Sequence, residues 1–524
     1  MAATLAGCSG GGGGGTETTT ESTTSSGGET TTESSGDGGG DSFAVTITQG
    51  QMPSTLDPQD HRSTPTDNVV LQAYEGLMSR TRKGEPQAEL ATEWERVEDG
   101  MVRFHIRDGV TFHSGNDLTA EDVAFSINRI VDKDVGIKSP QKDQLAGVTG
   151  AEVADTDGMA VDVHSDGLNP IVFADFATYC DVMEKAWVQD HEPNYIAKNV
   201  NGTGPFALKS YEQDVQVVFE RFEDYWKEPA AVTELTFDAA KENNVRVNKL
   251  VEGESDIVVN VPPQQISRVK TADSAAVAAV PSTRIIYNAM RYDVEPFDSA
   301  EFRRAMNYAV DMQSIVKNVL SGFGSVTAEP TLEHFFGYNP DLEPYAQDVD
   351  KAESLVESSG YAGAEIELHT PVGRYLKDVE IAQVVVEQID QLSNVSASLK
   401  QRDFNALATE LTDGTIESSP HWYLIGWGNA TFDGSQTLIP LLTSDGALTS
   451  WKDDEFDSLV DDAQSEGDQD RRDQLLQQAN ARAHDQAPWI FLNRQYSVYG
   501  KTSRLDWQAR SDERIDAYAI ERGD

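Results

Sequence analysis

The stretch "FHIRDGVTFHSGNDLTAEDVAFSINR", residues Phe104–Arg129, places a strand pattern directly before a helix pattern. Apolar and polar residues alternate from Val102 to Ile106, and the alternation resumes at Val110 and Phe112. The dipeptide Asp108-Gly109 between these two runs is typical of a tight turn. We therefore predict a β-hairpin in the first half of this stretch.

The second half of the stretch changes to the period of a helix. Thr119 stands where its side chain can cap the first turn, and Asp122 follows three residues later. The apolar residues of the run share one helical face, and they are Val123, Ile127, Ile130 and Val131. A strand followed at once by an amphipathic helix favours a mixed α/β protein.

The same two patterns recur outward from this stretch. In "SFAVTITQG" the residues Phe43, Val45 and Ile47 alternate with polar ones, so we expect the folded body to begin with a strand here. Two later runs, "SAEFRRAMNYAVDMQSIVKNVL" and "KDVEIAQVVVEQIDQL", have helical spacing, with Ile381, Val385 and Ile389 on one face of the second. With 524 residues, the chain is long enough for about three domains.

The charge of the chain is strongly acidic along its whole length. Its 88 Asp and Glu residues against 41 Lys and Arg residues leave a formal net charge of -47. Repulsion from phosphate disfavours nucleic acid as a partner. An even acidic excess also indicates adaptation to concentrated salt, where screening removes the self-repulsion of the fold; we therefore expect a halophilic source.

The first residues predict a lipid anchor followed by a linker. Leu5, Ala6, Gly7 and Cys8 resemble a lipobox, in which the cysteine thiol accepts the lipid. Residues 9–41 are rich in Gly, Ser, Thr and Glu and have no apolar groups to bury, which predicts a disordered tether. We expect residues 1–8 to be a signal remnant with the lipobox, and Cys180 to be a buried apolar residue.

A set of short motifs occurs in an order that resembles a known family. They are "STLDP", "AYEGLMSR", "AELATEWE", the opening stretch, "NGTGPF", "EGESDIV" and "FRRAMNYAVD". From about residue 43 to 495 the chain resembles the family 5 extracellular solute-binding proteins of ABC importers, the oligopeptide, dipeptide and nickel-binding group. We therefore expect a haloarchaeal lipoprotein of that family.

The resemblance implies an α/β fold of the periplasmic-binding-protein type II, with an extra domain and a ligand cleft between two hinged lobes. Lobe I would comprise residues 43–73, 202–288 and 496–524. The extra domain would comprise 74–201, and lobe II 289–495. A ligand that contacts both lobes would shift the protein toward its closed form.

The resemblance also implies ligand-binding residues. Arg374 lies where dipeptide-binding members place an arginine against the ligand carboxylate, with Tyr375 beside it, and a guanidinium suits a carboxylate. In "LIGWGNATFDGSQTL" the expected ligand contacts are Trp427, Asn429 and Asp433. Peptide binders of the family carry an aspartate three residues after the tryptophan, where this chain has Ala430. Either Asp433 takes over the ammonium, or the ligand has no amino terminus there.

We expect a monomeric receptor at the extracellular face of the cytoplasmic membrane, held there only by its lipid anchor. It would deliver a peptide or another small solute to ABC permease subunits, without metal, cofactor or catalytic residues. A glutathione-like compound, a nickel chelate or a sugar remains an alternative solute. A secreted hydrolase or a surface adhesin is disfavoured, because the chain lacks the G-x-S-x-G and H-E-x-x-H motifs and shows no repeats.

Overall fold

The computed structural model describes residues 42–82, 84–145, 147–156, 158–412 and 419–523, within the unit Ser42–Asp524. The predicted anchor Cys8 and the predicted linker 9–41 lie outside the described residues. Among the described residues, no helix combines the length and the apolar character that crossing a membrane requires.

The described residues form nineteen strands, which are interspersed with helices along the chain. The strands are β1 (Ala44–Gln49), β2 (Met78–Arg80), β3 (Pro86–Ala88), β4 (Ala91–Glu98), β5 (Met101–Ile106), β6 (Val148–Val153), β7 (Ala160–Ser165), β8 (Phe206–Glu212), β9 (Gln216–Arg221), β10 (Glu234–Ala239), β11 (Ile257–Val258), β12 (Ala275–Met290), β13 (Gly324–Val326), β14 (Ala364–Pro371), β15 (Val395–Arg402), β16 (Trp422–Gly428), β17 (Trp489–Thr502), β18 (Leu505–Asp506) and β19 (Glu521–Arg522).

The α-helices of the described residues range from single turns to five turns. They are α1 (Thr64–Val70), α2 (Ala120–Val131), α3 (Val172–Phe176), α4 (Lys185–Asp190), α5 (Pro193–Ile196), α6 (Asn243–Glu252), α7 (Ile266–Thr271), α8 (Ala300–Ala309), α9 (Met312–Ser314), α10 (Val349–Ser359), α11 (Asp378–Asp390), α12 (Phe404–Thr412), α13 (Ser435–Leu442), α14 (Asp454–Gln464) and α15 (Gln469–Gln486).

The main sheet contains eleven strands and is mixed. Its order is β15-β14-β16-β12-β17-β11-β1-β10-β9-β8, and β13 pairs with β17. β1 is parallel to β10 and β11, and β14 is parallel to β15 and β16. Parallel neighbours need crossover connections, and helices α6 and α11 follow β10 and β14 for this reason.

Two long antiparallel strands, β12 and β17, join the two halves of this sheet. Their pairing runs from Ala275 opposite Thr502 to Ala289 opposite Trp489. The register shifts between Pro281 and Ile285, which is the kind of irregularity that turns a side chain away from its regular direction. This shift lies at Arg284, a residue of the cavity described below.

A separate four-stranded sheet contains the opening stretch, in the order β4-β5-β7-β6. The predicted alternation in β5 is confirmed, since Val102, Phe104 and Ile106 are buried. The predicted hairpin is wrong: β5 pairs with β4 and β7. The chain does turn at Gly109, whose φ is +74°, but beyond the turn only an isolated bridge joins Thr111 to Asp117.

Helix α2 forms as the sequence predicts. The Thr119 side chain accepts from the Asp122 backbone N–H, and the Asp122 carboxylate accepts from the Thr119 N–H, so both groups of the capping box are present. At the other end of the helix, the buried Arg129 donates through Nη2 to Asp57 Oδ2 at 2.6 Å. This ion pair ties the four-stranded sheet domain to the loop that follows β1.

The buried apolar residues in the described part of the chain form four clusters. One lies between α2 and the four-stranded sheet. A second surrounds β1 and includes the three residues predicted to share its face, Phe43, Val45 and Ile47. The other two cover the opposite faces of the sheet around β12 and β16. Cys180 is buried with a free thiol in the first cluster, as predicted.

The predicted helical stripes are also present. Ile381, Val385 and Ile389 of α11 are fully buried. The run after Ser299 is less regular than its pattern suggests, because α8 ends at Ala309 and the chain continues through α9 into a π-helical turn.

The segment Gly202-Thr203-Gly204 passes directly over the backbone of Ala73. A Cβ atom on Gly202 would lie 2.0 Å from the Ala73 carbonyl oxygen, and one on Gly204 would lie 2.7 Å from the Ala73 carbonyl carbon. Glycine occupies both positions because only glycine lets the two backbones meet this closely.

Replacing Gly202 by alanine therefore destabilises the fold. The new methyl group meets backbone that cannot move cheaply, so we expect Gly202→Ala to lower the free energy of unfolding by about 2 kcal/mol or more. Gly158→Ala is the matched control, because a Cβ there meets no atom within 4 Å. Denaturant unfolding of both variants checks this, and equal stabilities would contradict it.

Candidate functional site

A cavity of about 220 Å³ lies beside the central strands of the main sheet. Its wall combines residues of β12 and β16 with residues from loops far apart in the sequence. The wall residues are His61, Arg62, Thr64, Asp67, Gln141, Gln144, Thr178, Tyr179, Thr283, Arg284, Tyr287, Arg374, Tyr375, Phe404, Ala408, Leu411, Tyr423, Ile425, Gly426, Trp427, Gly428, Ala430, Leu441, Leu448, Asp512, Glu513 and Arg514. It is therefore a cavity with aromatic walls and several charged groups.

Strand β16 supplies much of the apolar wall. Tyr423, Ile425 and Trp427 are two residues apart and so point to the same side of the strand. The neighbouring glycines leave room for other wall residues: a Cβ on Gly426 would lie 2.8 Å from Tyr375 Cε1, and one on Gly428 would lie 2.8 Å from Arg284 Nη2. In the sequence Gly-Trp-Gly, Trp427 therefore contributes its ring to the cavity wall, and the two glycines leave space for the side chains of Tyr375 and Arg284.

Arg374 lies in the loop between β14 and α11, and a buried carboxylate shapes that loop. Asp378 accepts hydrogen bonds from the backbone N–H groups of Gly373, Arg374 and Tyr375 at 2.8–3.2 Å. This wrapping fixes the direction in which the Arg374 side chain leaves the backbone. The sequence-predicted residues Arg374 and Tyr375 therefore both reach the cavity wall.

The Arg374 guanidinium has aromatic neighbours but no carboxylate within ion-pair distance among the described residues. Its Cζ lies 5.0 Å from the ring centroid of Tyr375 and 5.1 Å from that of Phe404. Its Nε is buried and has no hydrogen-bond partner. Burial, reinforced by the nearby Arg284 charge, lowers the pKa of Arg374 from its ordinary value. An anion at this point would relieve that unfavourable environment.

Arg284 and Glu513 form a buried ion pair in the wall. Arg284 Nη2 donates to Glu513 Oε2 at 2.6 Å, and Nε donates to both carboxylate oxygens. Burial would raise the pKa of Glu513, but the Arg284 guanidinium outweighs this effect and leaves that pKa below its usual range. The pair is therefore charged and internally compensated.

The remaining acids of the wall are Asp512 and Asp67. Asp512 is paired with Arg510, with N–O distances of 2.5–3.2 Å. The Asp67 carboxylate is one-third exposed, and its nearest basic atom is His61 Nδ1 at 3.9 Å. Burial lowers the pKa of His61, so its imidazole is neutral at pH 7. Among the described residues, the Asp67 carboxylate therefore has no positively charged group at ion-pair distance.

A smaller cavity of about 50 Å³ adjoins the first one. Both include Thr64, Arg374 and Glu513, and the smaller one extends to Gln49 and Gln51 at the end of β1. Arg374 therefore stands where the two spaces meet, with room on both sides of its side chain.

The structure separates the other predicted ligand contacts from this wall. Trp427 lines the cavity, whereas Asn429 and Asp433 do not. Asn429 is buried, and its Nδ2 donates to the Asp433 carbonyl oxygen and to Thr437 Oγ1. Both oxygens of the Asp433 carboxylate accept from Arg472, at 2.6 and 2.9 Å. These two residues brace the loop that leads into α13.

Ala430 does lie in the wall, at the position where the resemblance leads one to expect an aspartate.

The sequence analysis did not identify three features of the wall, namely Arg62, the Arg284–Glu513 pair and Asp67. "HRST" carries a basic residue just before a helix, but nothing local indicates that the side chain turns into a cavity.

The chain is similar to proteins of one family over most of its length. The profile of the bacterial extracellular solute-binding proteins, family 5 Middle, matches residues 85–449. The dipeptide-binding protein of Escherichia coli is 26% identical over 442 residues, which cover 77% of this chain and 80% of that protein. Heme-binding protein A of Haemophilus influenzae is 25% identical over 462 residues, which cover 81% and 82%.

Among solved structures, the ABC transporter-associated periplasmic binding protein DppA of Helicobacter pylori, in complex with the peptide STSA, superimposes with a TM-score of 0.82. It is 20% identical and the match covers 92% of this chain and 99% of that one. This likeness shows the fold, a two-lobed α/β periplasmic-binding-protein fold of type II. On the extent of the profile match, the chain belongs to the bacterial extracellular solute-binding proteins, family 5.

Proposed function

We propose that this chain is the receptor of an ABC importer that captures a di- or oligopeptide, or a peptide-like solute, outside the cell. The ligand is held between the lobes, and closure of the lobes presents it to the permease subunits. The family and the peptide-binding relatives support this proposal. The observation that carries it is the Arg374 guanidinium, which faces an aromatic cavity without a countercharge among the described residues.

We propose the lobe boundaries that the resemblance implies: 43–73, 202–288 and 496–524 for lobe I, 74–201 for the extra domain, and 289–495 for lobe II. With these boundaries Thr64 and Arg374 lie on opposite lobes and Thr178 lies in the extra domain, so the cavity has walls from all three. β12 and β17 would be the crossing strands. A ligand touching all walls stabilises the closed form by its differential affinity.

The same proposal has three further parts. The receptor is attached to the membrane through a lipid on Cys8, it is a monomer, and it has no catalytic role. Residues 9–41 would be the linker that follows this anchor. ATP hydrolysis would be the task of another subunit, since this chain has no P-loop sequence.

Within the cavity, we propose that Arg374 binds the carboxylate of the solute, and that Trp427 and Tyr375 pack against its apolar part. The Trp427 Nε1 is buried without a hydrogen-bond partner and is available to a ligand carbonyl. Asp67 takes the ammonium of a peptide, because Ala430 cannot and Asp433 is already paired with Arg472. Asn429 and Asp433 support the loop that carries Ala430.

A non-peptide solute is the second candidate, and Ala430 is the observation that favours it. A solute without an ammonium group needs no acid at that position, and Arg374 would still bind its carboxylate. The two candidates differ in whether Asp67 contributes to affinity.

The role of Arg374 predicts a loss of carboxylate recognition in Arg374→Gln. A charge-assisted hydrogen bond contributes ~1.5–3 kcal/mol, so we expect affinity for Ala-Ala to fall about tenfold or more. Affinity for Ala-Ala amide, which lacks the carboxylate, should stay the same. Calorimetry on both ligands checks this, with Arg471→Gln as the control because Arg471 is exposed on α15. Equal affinities of the native protein and Arg374→Gln for Ala-Ala would remove Arg374 from the site.

The role of Asp67 predicts that Asp67→Asn weakens binding of Ala-Ala by about tenfold, because an ammonium then loses its charged partner. Binding of N-acetyl-Ala-Ala, which has no ammonium, should not change. Asp341→Asn is the control, since Asp341 is exposed. The same loss for both ligands would show that Asp67 supports the cavity and does not recognise the ammonium.

A further inference from the structure

Arg62 is a second guanidinium in the cavity wall whose hydrogen-bonding capacity is not filled. Its Nη2 is buried and has no partner, although the side chain as a whole is 20% exposed. Nη1 lies 3.7 Å from a carboxylate oxygen of Asp143, and the Asp143 side chain is half exposed. Burial lowers the pKa of Arg62. The contact with Asp143 is long and that carboxylate is half exposed, so it does not offset the cost of burying the Nη2 side of the guanidinium.

Arg62 and Arg374 lie in different surroundings. The charged or ionisable groups around Arg62 are Asp143 and Tyr179, whereas those around Arg374 include Arg284, Glu513 and Asp378. Arg62 lies in the loop before α1, and its Cζ is 5.7 Å from the ring centroid of Trp427. The two guanidinium groups therefore offer two separate points of attachment.

The groups beside Arg62 suit a carboxylate. Gln144 and Tyr179 line the same cavity, and they bring an amide and a phenol that can each donate a hydrogen bond. Burial raises the pKa of Tyr179 to about 12, so its hydroxyl keeps its proton at neutral pH. A carboxylate accepts several such bonds at once, and a guanidinium can meet it with two parallel N–H groups.

The charges of the wall also leave room for a second anion. Glu513 is neutralised by Arg284, and Asp512 by Arg510. Arg62 then has only the half-exposed Asp143 at 3.7 Å, and Arg374 and Arg514 have no carboxylate at ion-pair distance among the described residues. Among the same residues, Asp67 is the wall carboxylate that is left without a cation at that distance. A zwitterionic peptide places one carboxylate on Arg374 and its ammonium on Asp67, and the wall would still carry surplus positive charge.

We infer that Arg62, with Gln144, Tyr179 and Trp427, forms a second anion subsite, and that the preferred solute carries a second carboxylate. On the proposed function, which this inference extends, that solute is a short peptide with an aspartate or glutamate side chain. Because Arg62 and Arg374 belong to different segments of the wall, an acidic peptide would bridge them.

Two pairs of dipeptides test this inference, each differing only in carboxylate against amide: Ala-Glu with Ala-Gln, and Asp-Ala with Asn-Ala. By calorimetry we expect the native protein to bind the acidic member of at least one pair about tenfold more tightly. Arg62→Gln should reduce that ratio to within about twofold of one. Arg374→Gln should weaken both members and keep the ratio. Arg62→Lys retains the charge and should keep part of the preference for the acidic dipeptide. It also replaces Arg62→Gln as the test variant if Arg62→Gln does not fold.

A native ratio near one for both pairs, or a ratio that survives in Arg62→Gln, would overturn the inference. Binding of glutarate and of its monoamide tests the second subsite independently of the proposed peptide function. If no dipeptide binds but glutarate is preferred over the monoamide and this preference needs Arg62, the second subsite stands and the peptide function fails. If the native protein binds none of these six compounds, both are wrong.

Discussion

The pairing of β12 with β17 is the constraint on which the cavity depends. These two strands hold the halves of the main sheet in register, and β16 adds to the free edge of β12 with Arg284 opposite Gly428 and Tyr287 opposite Ile425. The irregularity before Ile285 turns Arg284 toward Glu513, and Gln495 of β17 donates to the same carboxylate at 3.2 Å. A slip of one residue in either strand would exchange the faces of the sheet and remove these side chains from the cavity.

Charge compensation distinguishes the buried arginines that stabilise the fold from those that remain available to a ligand. Arg284, Arg129 and Arg472 each meet a carboxylate at 2.6 Å inside the protein. Breaking such a pair strands a buried charge, which costs several kcal/mol, so these arginines stabilise the native arrangement of their segments. Arg374 has no such partner within the described residues and bears an uncompensated desolvation cost in the cavity wall. A bound carboxylate would offset that cost, and closing around it would then be more favourable than closing empty.

The sequence could predict features that depend on neighbours along the chain. The alternation in β1 and β5, the capping box of α2 and the stripe of α11 are all local, and all are present. The hairpin after β5 was wrong because strand pairing depends on β7, more than fifty residues away, which competes for the same edge. Asp433 is predicted as a ligand contact from its motif alone, and nothing near it in the sequence reveals Arg472 as its partner in the fold. Arg62 was not identified for a similar reason, since Trp427, whose ring centroid lies 5.7 Å from the Arg62 Cζ, is remote in the chain.

The acidic composition of the chain determines how it interacts electrostatically with a distant anionic solute. The charged groups of the cavity determine the interaction at close range. A net charge of -47 repels anionic solutes over the distance that salt does not screen, which is about 8 Å at physiological ionic strength and only about 3 Å at 1 M. Contacts between a carboxylate and the partly buried Arg62 and Arg374 would be made at hydrogen-bond distance, where screening by ions is weak. Concentrated salt therefore removes the barrier to approach and leaves most of the recognition in place. For this reason a highly acidic chain and a cavity with surplus positive charge are physically compatible. A preference for an anionic solute would rest on Arg374, which has no carboxylate at ion-pair distance within the described residues, and on Arg62, whose contact with the half-exposed Asp143 is 3.7 Å long.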